Sequence, residues 1–136
     1  MTECITGTFD VTMSGEAVHD AAAHTGIGRM ALAKRYHGDL DATGTGEMLT
    51  AMTAAPGSAG YVAIERVDGT LRGRRGTFFL QHSGTMDRGV PTLSVTVVPD
   101  SGTGDLVGLS GRLGVRVEEG KHHYDLDYAI AAAAAA

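Results

Sequence analysis

With 136 residues, a formal net charge of −5 and a single cysteine, the chain fits one domain built on one core. The acidic balance excludes a nucleic-acid groove and an anionic membrane surface, which need a clustered basic face that Arg72, Arg74 and Arg75 are too few to supply. Cys4 has no partner for an intrachain disulfide, which suits a reducing cytoplasm, and no apolar run approaches the roughly 18 residues of a membrane span.

Twenty glycines against three prolines and no tryptophan point to a β-rich chain with many reversals, since glycine marks turns, bulges and tight corners. The opening MTECITGTFD lacks the charged and apolar regions of a secretory signal, so the expected location is the cytoplasm. Strand-like runs follow one another at Cys4–Met13, Gly28–Gly38, Gly46–Ala54, Gly60–Asp68, Gly76–Gly84, Val90–Pro99, Asp105–Glu119 and Lys121–Ile130. Between the first two, SGEAVHDAAAHTG (Ser14–Gly26) is rich in alanine but has no capping box, and reads as a loop or one to two helical turns. The glycine runs GTGE (Gly44–Glu47) and SGTGD (Ser101–Asp105) read as tight turns. Neither has the lysine and helix start of a phosphate loop. Residues 1–130 make one domain, and the alanine tail 131–136 lies outside it.

Eight short runs with short links imply an antiparallel barrel or sandwich rather than a βαβ sheet. Period-2 alternation supports this: His122, Tyr124, Leu126 and Tyr128 share one face of the last run, and His123, Asp125 and Asp127 the other.

The segments RYHGDL (35–40), YVAIERVDGTLRGRRGTFFLQHSGT (61–85), VVPDSGTGDLVGLSG (97–111) and HHYDLDY (122–128) are similar to the bacterial domain-of-unknown-function family thirty-two twenty-four, which is grouped with the allene oxide cyclase-like barrels. The resemblance covers roughly residues 30 to 128. It implies an all-β fold, an eight-stranded antiparallel closed barrel with a ligand-sized interior that often self-associates, so a homo-oligomer is expected. The better-known relatives cyclise an unstable oxylipin epoxide, largely by moulding it in an apolar cavity. None of their site residues aligns here, and a shared fold does not transfer a reaction.

Candidate chemistry centres on AIERVDGTLRGRRGTFFLQH (63–82), where a carboxylate interrupts an apolar run. If the reversal is centred near Gly73, Glu65 lies opposite Gln81, and Tyr61, Ala63, Glu65 and Val67 share a face with Thr77, Phe79, Gln81 and Ser83. With that face inside, Glu65 and Gln81 are the expected catalytic pair, an enclosed carboxylate being a competent general acid or base. The opposite choice places Val62, Ile64, Arg66, Phe78, Leu80 and His82 inside; that face is the more apolar, and a one-residue slip exchanges the partnerships. Glu65 is equally readable as a surface carboxylate paired with arginine, and His82 as a core histidine.

Tyr36, Tyr61, Phe79, Tyr124 and His82 are the expected ligand-binding residues, although tyrosines also fill cores with the hydroxyl reaching a partner. No metal site is expected, because His122 and His123 are adjacent and point to opposite faces of a strand. Cys4 lacks a basic neighbour and no serine sits in a nucleophile elbow. The expected function is binding of a small, mostly apolar molecule, with cyclisation or isomerisation by confinement and without a metal or nucleotide cofactor. The alternatives are a non-catalytic carrier or sensor, or an oligomeric barrel plugged by its own side chains.

Overall fold

A computed structural model describes residues 2–131. Eight strands, β1 (Glu3–Glu16), β2 (Ile27–Gly38), β3 (Leu40–Met52), β4 (Ala59–Leu71), β5 (Arg74–Asp87), β6 (Val90–Val97), β7 (Leu109–Glu118) and β8 (Lys121–Ile130), are joined in chain order. Each pairs antiparallel with the next, and β8 returns to β1 to close the barrel. Two short 3₁₀ turns, at Asp20–Ala22 and Gly104–Leu106, complete the regular structure of the described residues. The Ser14–Gly26 segment therefore contributes the end of β1 and a single 3₁₀ turn, whose His19 Nδ1 accepts from the Ala21 amide. No helix among the described residues is long and apolar enough to cross a membrane.

Three hairpins close on two-residue turns in which both residues have positive φ: Arg72–Gly73 (47° and 80°), Arg88–Gly89 (47° and 89°) and Glu119–Gly120 (52° and 76°). Such turns match the twist of the flanking strands and fix register. In the first, Leu71 pairs with Arg74, so Glu65 stands opposite Leu80 and Ile64 opposite Gln81. The expected pairing of Glu65 with Gln81 is corrected by one residue. Glu65 keeps its inward face, but the residues that share it from β5 are Phe78, Leu80 and His82, while Phe79, Gln81 and Ser83 turn outward.

The GTGE stretch is not a turn but the middle of β3. Gly44 and Gly46 fall at inward positions there, and a side chain at either would collide: a Cβ on Gly44 would lie 2.1 Å from Glu65 Oε2, and one on Gly46 2.3 Å from the Ile64 carbonyl oxygen. The glycines make room for what β2 and β4 carry.

The barrel is asymmetric along its axis. At the end where β1 begins, Ile5, Leu40, Leu71, Leu109 and Tyr128 are buried, and Leu106 from the second 3₁₀ turn caps them. At the other end the inward positions hold Met13, Met30, Met48, Met52 and Met86, of which Met13, Met52 and Met86 are exposed. Strands β6 and β7 share one bridge, Thr96 with Arg112.

A buried ionic cluster below an apolar mouth

Midway along the barrel, Glu65 is fully buried. Lys34 Nζ donates to its Oε1 at 3.0 Å, His82 Nε2 lies 2.9 Å from the same oxygen, and the Tyr36 hydroxyl donates to Oε2 at 2.5 Å. The alternation of β2 sends Lys34 and Tyr36 inward, that of β4 sends Glu65 inward, and that of β5 sends His82 inward. Strand β3 separates β2 from β4, and because its inward residues at this level are Gly44 and Gly46, the β2 side chains reach across it to the carboxylate.

Around the cluster the environment is aromatic and apolar. Lys34 Nζ sits 4.9 Å from the Phe9 ring centroid and 5.8 Å from that of Tyr36, within the range where a ring face attracts a cation. Below it Tyr124 meets Tyr36 edge-on at 5.7 Å. Every buried side-chain nitrogen and oxygen among the described residues has a partner, which burial in low dielectric demands.

Burial by itself raises the Glu65 carboxyl, but the hydrogen bond from His82, the Lys34 charge and the Tyr36 hydroxyl outweigh it and hold the pKa below the ordinary value. The Tyr36 phenol is pushed well above its ordinary value by burial and then by the Glu65 charge and hydrogen bond, so it stays a donor. Tyr61 is raised by burial and by Glu65. The cluster thus holds a carboxylate, an ammonium, an imidazole and a phenol within one hydrogen-bonded set.

Toward the open end lies an apolar cavity of about 290 Å³, lined by Met48, Met52, Tyr61, Met86, Pro91 and Leu93 among others and by none of the four cluster side chains. Side-chain exposures of 7% for Lys34 and 6% for His82 are what the cluster keeps of solvent.

The structure gathers Tyr36, Glu65 and His82 into one cluster and puts Tyr61 in the mouth above it. Tyr124 is fully buried on the same inward face but is used by the fold: its hydroxyl donates to the His37 carbonyl at 2.9 Å and accepts from the Leu40 amide at 3.3 Å. Gln81 and Phe79 do not join them. Gln81 lines a groove on the outside of the barrel with Leu49, Val62 and Ile64, and Phe79 is 39% exposed on the same outer surface. Lys34 is absent from the expected residues. Its signal was available in MALAKRYHG, where Met30, Leu32, Lys34 and Tyr36 alternate onto one face and a lysine occupies an apolar position. Among the described residues no group of three or more histidines, cysteines or carboxylates is arranged to hold a metal.

The family model for proteins of unknown function DUF3224 matches residues 5–128. No curated protein matches the chain. Among solved structures, a protein with unknown function from the DUF3224 family of Shewanella oneidensis MR-1 is 46% identical and superposes with a TM-score of 0.90, covering 97% of this chain and 100% of that one.

Proposed function

The chain belongs to the DUF3224 family, and from that premise we propose that its barrel binds a small, mostly apolar molecule in the methionine-lined mouth, above the Lys34–Glu65–His82–Tyr36 cluster. One observation carries this reading: an open apolar cavity lies over a buried set of ionisable groups at one end of a barrel whose other end is packed shut. Apolar pockets with a few convergent polar groups are the usual form of small-molecule sites. Methionine side chains, flexible and polarizable, suit a mouth that adapts to its guest.

The cluster equips the cavity for proton transfer to or from a confined guest. His82 and Tyr36 take the place beside Glu65 that the sequence assigned to Gln81. Confinement together with such a proton relay suits cyclisation or isomerisation and requires no metal or nucleotide. Without turnover, the same site is that of a carrier.

The complete pairing of Glu65 favours a second reading, in which the cluster pins the strands of a plugged barrel and the mouth stays empty. Native mass spectrometry of protein isolated without denaturation separates the two. A small molecule retained by the wild type and lost from Met48→Glu supports the binding reading; wild-type protein that retains nothing and takes up no apolar probe such as decanol supports the plugged barrel. A product accumulating from the retained molecule distinguishes enzyme from carrier.

A further inference from the structure

We propose that Lys34 captures a carbonyl-bearing apolar guest as a protonated imine with Glu65 as its counterion, an inference that rests on the binding reading above and names the ligand class. The chain has two lysines, Lys34 and Lys121. Lys121 is exposed at the start of β8, whereas Lys34 is 7% exposed inside the barrel, its nitrogen 3.0 Å from Glu65 Oε1 and facing the Phe9 and Tyr36 rings.

Lysine is almost never buried without a specific partner, and a buried ion pair is a weak device for stability. A lysine set in apolar surroundings is the kind that forms imines, and Glu65, whose charge balances the ammonium, would balance the protonated imine in the same way. The aromatic rings that face the ammonium would equally face a protonated imine, which carries the same charge at the same place. The carbon chain of the guest would extend toward Met48, Tyr61 and Leu93 in the mouth.

The step balances without any further reactant. The Lys34 ammonium gives one proton to Glu65, and the neutral nitrogen forms a bond to the carbonyl carbon as the carbonyl π pair moves to oxygen. The oxygen takes one proton from that nitrogen and one from Glu65, and leaves as water. The nitrogen keeps one proton and the positive charge, and Glu65 is again a carboxylate.

The test incubates the whole protein with decanal and cyanoborohydride, which reduces an imine to a stable amine, and maps the mass increase by peptide. Lys34 is expected to be alkylated at least about tenfold faster than Lys121 and the N-terminus despite its burial, with decanol slowing that reaction. Lys34→Arg keeps the charge and should lose the fast adduct while retaining the wild-type circular dichroism, decanol binding being read by native mass spectrometry on the wild type. Adducts confined to Lys121 and the N-terminus, with decanol still bound, overturn the imine and leave the binding reading standing. The same pattern with no decanol bound overturns both.

Discussion

At the scale of single residues, Glu65 is the group on which the interior depends. Removing it as Glu65→Ala leaves the Lys34 ammonium buried without a counter-charge, and breaking one side of such a pair costs about 3–5 kcal/mol. The paired change Lys34→Met with Glu65→Gln removes both charges and is expected to recover most of that loss; urea denaturation of the three proteins measures it. Because the folded carboxyl is held below its ordinary value, its contribution is fully present above the unfolded carboxylate value of about 4.3. That contribution is lost as the pH falls through the lower folded value. Glu65→Gln should therefore flatten the acid side of the stability profile, and a variant with an unchanged acid limb would contradict this. The sequence exposed Glu65 because a carboxylate broke an apolar run, but it hid the neighbours: Lys34 is 31 residues away, and their meeting depends on two glycines in β3 that read as a turn.

At the scale of elements, the β4–β5 hairpin decides which side chains meet Glu65. Its two-residue turn begins with Arg72 at φ 47°, a position where asparagine or aspartate is the usual signal, so the sequence suggests a longer connection centred on Gly73. Half a residue of displacement in the centre became a full residue of register. The alternation of β4 gave no warning, since Val62 and Ile64 on the outer face are as apolar as the inner residues and are both about half exposed. The pattern located the strands and the alternation of the last one, but a strand apolar on both sides does not say which side is inside. Gly73, at φ 80° with nothing near its missing Cβ, isolates the backbone term. Gly73→Ala should destabilise by about 1 kcal/mol through conformation alone, read as a shift in the denaturation midpoint with an unchanged slope. The β6–β7 seam is the other local feature. With one bridge holding it, the β6 amides that point toward β7 should exchange hydrogen well before those in the β4–β5 ladder, and equal protection would show that the seam is tied by more than its one bridge.

At the scale of the whole molecule, the two ends of the barrel divide the labour of stability and binding. Leu106 is 1% exposed in the packed end, so Leu106→Ala should create a cavity and cost about 2–5 kcal/mol. It lies at the opposite end from Met48, Met86 and Leu93, and distant changes act independently. Decanol affinity should accordingly be preserved in Leu106→Ala under conditions where the variant is folded. Met52 is 67% exposed on the rim of the mouth, so Met52→Glu disturbs little packing and should leave the melting temperature nearly unchanged. It places a charge against an apolar guest, and should weaken decanol binding by about tenfold, the effect of roughly 1.4 kcal/mol. Calorimetric titration and thermal melts on the two variants test the division directly. Should Leu106→Ala weaken binding as much as Met52→Glu, the interior would act as one coupled core, and the mouth could not be treated as a site resting on an independent scaffold.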